Sequence, residues 1–177
     1  MDEAGALLAP LVRRTLAPRG QTPLLKHRAK QRDKVSLAGA LTLSPAGNLG
    51  LHFRTYPQDY VNNVKAAAFV EGLLQDLAGP VILLWDRGNM HKGDPIRALQ
   101  ALHPRLHTEF LPPYAPQLNP VELLWSFLKY GKLANFAPHD IPELEKRLLE
   151  HLQFAQSNQR LLASFWHWSQ LPLPRWH

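Results

Sequence analysis

The sequence contains no cysteine in 177 residues, which excludes disulfides, thiolate-bound zinc, iron–sulfur clusters and thiol catalysis together. It also lacks a long hydrophobic run. Its densest apolar stretch, VILLW at 81–85, is far shorter than the ~20 residues needed to cross a bilayer. The opening MDEAG is acidic, where a secretory signal needs a positive n-region. No Walker-type glycine loop, Gly-x-Ser-x-Gly elbow or His-Glu-x-x-His pair occurs, so the chemistries those motifs support are set aside. His103 and His107 have a zinc-like spacing, but Pro104 denies them a shared helix. The expectation is an intracellular, soluble chain with no membrane partner, whose chemistry rests on carboxylates.

Hydrophobic residues make up 45% of the chain and charged residues 19%, the composition of a globular protein. The length suits one domain, 1–177, with a single sizeable core. The net charge is +6 and the isoelectric point about 9.8, a balance that favours polyanions. Between Arg13 and Lys34 lie eight basic residues, opposed only by Asp33. Such a run is either a solvated hairpin or a track for phosphates, and DNA contact is the expectation, with Arg19, Lys26, Arg28 and Lys30 as contact residues.

The first third reads as β structure. RTLAP and TPLLKH flank a Pro18-Arg19-Gly20 turn, and 34–44 and 49–56 follow as strands about a SPAGN turn. Asp59 is placed to cap a helix over about 60–78, with Val70, Leu73, Leu74 and Leu77 on one face. VILLWD (81–86) has the pattern of a strand buried on both faces, ending in Asp86. Asp94 and Pro95 start a helix that ends at His103-Pro104, and 106–111 is another strand. Asn119 and Pro120 open a helix in which Val121, Leu124, Trp125 and Leu128 form a core stripe, and amphipathic helices follow at about 141–155 and 158–168. This order specifies an α/β fold: a mixed five-stranded sheet, antiparallel in its first three strands and parallel afterwards, with helices on both faces. Trp166, Trp168 and Trp176 fit packing better than base stacking and are assigned no role.

Two carboxylates stand out. Asp86 ends a strand, where ligands of open α/β sheets collect, although a turn aspartate also fits. Glu122 stands three residues after Asn119, the spacing of a capping box. A cap, however, leaves Pro112, Pro113, Pro116 and Pro120 unexplained. Four fixed φ angles within nine residues hold the approach to Glu122 nearly rigid, which suits a metal ligand.

LLWDRGNMHKG followed by LPPYAPQLNPVELLWSFLK resembles the second and third acidic motifs of the DDE transposases, in the mariner-like bacterial insertion-sequence branch of the insertion-sequence-630 type. Thirty-five residues separate Asp86 from Glu122, close to the spacing of that family, and DEAGALLAP with RTLAPRGQTP resembles the segment around its first acidic residue. The resemblance implies a ribonuclease-H-like fold and an acidic triad of Asp2, Asp86 and Glu122. It further implies two bound divalent ions, Mg²⁺ or Mn²⁺, and metal-dependent cleavage and transfer of DNA strands. Hard oxygen ligands agree with those ions. Because neighbouring strand residues point to opposite faces, only one of Asp2 and Glu3 can join Asp86; the family motif assigns Asp2. His91 matches a frequent histidine of the second motif and either touches a phosphate or serves as a structural loop residue. Lys129, at i+7 from Glu122, is placed to meet a phosphate.

The implied partners are insertion-sequence ends and target DNA, with a homodimer forming on the DNA, and the implied location is the bacterial cytoplasm and nucleoid. The sequence shows no counterpart of the family's helix-turn-helix region. The chain is therefore expected to be the catalytic half of a transposase whose reading half is encoded separately, or else a fragment that binds DNA without catalysis.

Overall fold

The computed structural model describes residues 1–26 and 33–171. Strand β1 (Asp2–Leu7) pairs antiparallel with β2 (Lys34–Leu43), which pairs antiparallel with β3 (Leu49–Pro57). Helix α1 (Asn63–Asp76) leads to β4 (Val81–Trp85), and α2 (Asp94–Leu102) crosses over to β5 (Leu106–Phe110), parallel to β4. The chain closes with α3 (Pro120–Ser126), a π-helical turn (Phe127–Lys132), α4 (Ile141–Ser157) and α5 (Gln159–Trp168).

Strand β2 is buried on both sides and sorts the helices into two layers. Val35 and Leu37 face a core built with Val121, Leu124, Leu128, Leu144, Leu148 and Leu162 from the C-terminal helices. Ala38 and Ala40 face Phe69, Val70, Leu73, Ile96 and Leu99 from α1 and α2. The period-two alternation of a strand produces this division, and it gives helices on both faces.

The five strands appear in the expected order and directions, but their hydrogen bonds form a three-stranded and a two-stranded ladder. The link between them is the Met1 nitrogen, which donates to the Leu84 carbonyl at 2.9 Å. Strand β1 meets β4 one residue before β4 ends, and Glu3 then contacts His91 beyond that end, so no longer ladder joins the two. Strand β4 is covered unevenly: Leu83 and Trp85 are buried on one face, while on the other Leu84 is half-buried and Ile82 is 62% exposed, where burial on both faces was expected.

Other expectations also change. Among the described residues RTLAP and TPLLK (22–26) form no strand ladder, His27 lying outside them; Gln21 N closes the turn onto Pro18 O. Asn62, not Asp59, caps α1 by accepting from Lys65 N at 3.0 Å. Asp59 instead accepts from Tyr60 N and pairs with Lys65. Gly93 precedes α2 as its cap, with Asp94 in the first turn. Among the described residues no helix is long and apolar enough to cross a membrane.

Candidate active site

Asp2 sits opposite Gly39 in the β1–β2 register, and cross-strand partners project to the same face. Asp2 therefore points toward α3. A Cβ on Gly39 would lie 2.7 Å from the Trp125 ring, so the glycine leaves the space in which the indole lies. From there Trp125 Nε1 donates to Asp2 Oδ2 at 3.1 Å. Asp2 is 7% exposed. Burial, and next the negative charge of Glu122, push its pKa up to about 7, since both disfavour the ionised form.

Glu3 points the opposite way, as alternation along a strand requires, and meets the Asp86 loop. His91 Nε2 stands 3.1 and 3.0 Å from the two Glu3 oxygens. Its Nδ1 stands 3.0 Å from the Asp86 carbonyl and 2.8 Å from Asp86 Oδ1. The ring is buried and stacks on Trp85, with centroids 4.6 Å apart. Burial by itself would lower the His91 pKa, but the hydrogen bond and charge of Glu3, with the Asp86 carbonyl and carboxylate, together raise it. Only the doubly protonated ring donates from both nitrogens. Gly88 N adds a 2.7 Å hydrogen bond to Asp86 Oδ1. A Cβ at Gly88 would come within 2.9 Å of that oxygen, so this placement of the Asp86 carboxylate depends on glycine at 88. The Asp86 side chain is 57% exposed, held from behind and open in front.

Glu122 enters from the proline-rich loop. Leu111 N donates to Trp85 O at 2.8 Å, so the loop departs from beside Asp86. Tyr114, at φ 58° and fully exposed, marks its crest. Asn119 Oδ1 accepts from Val121 N at 3.2 Å, while Asn119 N bonds to Pro116 O at 2.9 Å. The capping box is therefore half made, and the exposed Glu122 side chain is not needed to satisfy Asn119 N. Asp140 and Glu143 show the contrast: Asp140 Oδ1 accepts from Glu143 N at 2.8 Å, and the Glu143 carboxylate reaches back to His139 N at 2.6 Å.

The contacts thus form two linked clusters, Asp2 with Trp125 of the helix that carries Glu122 on one side of β1, and Glu3 with His91 and Asp86 on the other. Among the described residues no three His, Asp or Glu side chains stand close enough to share one ion. The donor set nevertheless fits a hard divalent cation: buried Asp2 faces the charge of Glu122, and oxygen is the only ligand atom that Asp2, Asp86 and Glu122 offer. Arg19 and Lys26 lie on an exposed segment, while Arg28 and Lys30 fall outside the described residues, as does Trp176. His91 has both nitrogens engaged and is buried, away from any phosphate in solvent. Lys129 lies in the π turn, where Leu133 N bonds to Leu128 O, and the wider turn breaks the i, i+7 alignment with Glu122. Sequence reasoning assigns no site role to Glu3 or Trp125.

The sequence model of the DDE superfamily endonuclease family matches residues 1–145. No curated protein matches the chain. Among solved structures, the Mos1 transposase paired-end complex with the left transposon end is similar at TM-score 0.67 and 19% identity, over 94% of this chain and 50% of that one. The catalytic domain of Mos1 mariner transposase is similar at TM-score 0.57 and 18% identity, over 76% of this chain and 68% of that one. The Mos1 paired-end complex with Mg gives 0.60 and 19%, over 93% and 50%. The fold is ribonuclease-H-like, and the chain spans about half the length of the Mos1 chains in the two complexes.

Proposed function

The chain belongs to the DDE superfamily of endonucleases, and from that premise we propose that it is the catalytic domain of an insertion-sequence transposase, cutting and joining DNA strands with Mg²⁺ or Mn²⁺. The observation that carries this reading is the buried Asp2 carboxylate, bonded at 3.1 Å to Trp125 of the same short helix that presents Glu122, with the Glu122 charge acting on it. Like charges so placed repel unless a proton or a cation lies with them. Asp2, Asp86 and Glu122 would hold two ions, which supply charge to activate the attacking oxygen and stabilise the leaving one. The protein's share is positional. Gly88 N and His91 fix Asp86 from behind, the proline-rich loop fixes the start of α3, and α3 delivers Glu122.

Residues 1–177 act as one catalytic domain. A DNA-reading half encoded separately supplies sequence recognition, and two copies assemble on DNA in the bacterial nucleoid. Arg19 and Lys26, with Arg28 and Lys30, track the DNA backbone, and Lys129 approaches it from the π turn. Burial makes His91 a positioning residue. The second reading, a fragment that binds DNA without cutting it, is favoured by the spread of the carboxylates, no three of which are close enough to share an ion among the described residues.

Nicking of supercoiled plasmid by the full chain in Mn²⁺ separates the two readings. The catalytic reading expects nicking by the wild type and none by Asp86→Asn, with both shifting DNA equally in a gel. Binding without nicking by the wild type, or equal nicking by both, would sink it.

A further inference from the structure

Helix α3 carries more than Glu122. Trp125 follows it by three residues, so both lie on one side of a seven-residue helix. The indole is 3% exposed and spans the position where β2 has no side chain, and its N–H ends on Asp2 Oδ2 at 3.1 Å. An indole N–H is a donor only, so this contact satisfies Asp2 Oδ2 with a donor that can take no hydrogen bond in return. The strand residue and the helix residue are 123 positions apart in sequence.

Core packing alone does not require this arrangement. An apolar ring of similar size would fill the space over Gly39, whereas a polar N–H directed at a buried carboxylate fixes that carboxylate's rotamer. The two acidic groups are also tied together: Asp2 is held by the helix that presents Glu122, so any shift of α3 moves both.

We infer that Trp125 is a positioning residue for the metal site, orienting Asp2 through its indole N–H and setting the spacing between Asp2 and Glu122, with Gly39 as the slot that admits the ring. This rests on the metal-site reading proposed above. Hydrogen-bond partners of metal ligands tune affinity by about ten- to one-hundred-fold, so loss of the N–H should weaken Mn²⁺ binding by that factor without removing it.

The test is a titration of the full chain with Mn²⁺, followed by the paramagnetic signal of the free ion. The variants are Trp125→Phe and replacement of Trp125 by benzothienylalanine, which keeps the ring shape and removes the N–H. The inference expects wild-type binding, about ten- to one-hundred-fold weaker binding by the benzothienylalanine protein, and an unfolding temperature for that protein close to wild type. A purely structural Trp125 would lower the stability of Trp125→Phe but leave the benzothienylalanine protein with wild-type affinity, and that result overturns the inference. Absence of Mn²⁺ binding by the wild type overturns the metal-site reading itself and this inference with it, an outcome distinct from failure of the analogue comparison alone.

Discussion

His91 Nε2 lies 3.0 Å from Glu3 Oε2, in a contact between residues 88 positions apart and almost wholly shielded from water. It fastens the loop carrying Asp86 to the strand carrying Asp2. Removing one member of a buried charged pair leaves the other uncompensated, at a cost of about 3 kcal/mol. Glu3→Gln should therefore destabilise the fold by about that much in urea unfolding, and His91→Ala by a similar amount. The double variant should cost less than the sum. Because the His91 pKa is raised in the fold, its stabilisation is complete below its unfolded value near 6.5 and fades as the pH rises through its folded value. A wild-type advantage over His91→Ala that grows with pH would contradict this.

Asp2 makes its own pH signature. Its pKa rises from 3.8 unfolded to about 7 folded, so the native state binds more protons between those values. Metal-free stability should then fall as the pH climbs from about 4 to about 7, by on the order of 4 kcal/mol at most. Asp2→Asn should remove this decline, and saturating Mg²⁺ should flatten it, because a cation replaces the proton. Thermal unfolding across that range in EDTA checks it; an unchanged slope in Asp2→Asn assigns the effect elsewhere.

How much of this is legible in sequence depends on whether a feature repeats along the chain. The elements are largely legible, because periodicity is local: the helix expected at 141–155 is Ile141–Ser157, and the strand expected at 34–44 is Lys34–Leu43. RTLAP and TPLLK (22–26) carry strand-forming residues but pair with no strand among the described residues, and propensity without pairing makes no strand. The Glu3–His91 contact joins a strand to a loop and leaves no periodic trace. Trp125 reads as core because it is core, and its N–H partner lies 123 residues away. One sequence signal does point to it: Gly39 in the interior of KVSLAGALTL, where a strand glycine marks close approach by another group.

Gly88→Ala tests the turn behind Asp86. The added Cβ would fall 2.9 Å from Asp86 Oδ1, forcing that carboxylate aside. The expected result is weaker Mn²⁺ binding with a stability loss of only about 1 kcal/mol, read by metal titration and thermal unfolding on the same sample. Wild-type metal affinity in this variant would mean that Asp86 is not held by the turn.

DNA binding should be strongly salt dependent and nearly indifferent to sequence, since phosphate contacts carry affinity without reading bases. Each neutralised phosphate contributes about 0.9 log unit of affinity per log unit of salt. Replacing Lys26, Arg28 and Lys30 by Gln should flatten that slope in fluorescence anisotropy. An unaltered slope would place the DNA on another surface.

Anomalous diffraction from crystals of the full chain grown with Mn²⁺ tests the metal site most directly. The expected map has manganese peaks bounded by the carboxylates of Asp2, Asp86 and Glu122, with the Trp125 N–H still on Asp2 Oδ2. Well-ordered crystals with no peak among those three side chains, or with manganese held only elsewhere, would contradict it.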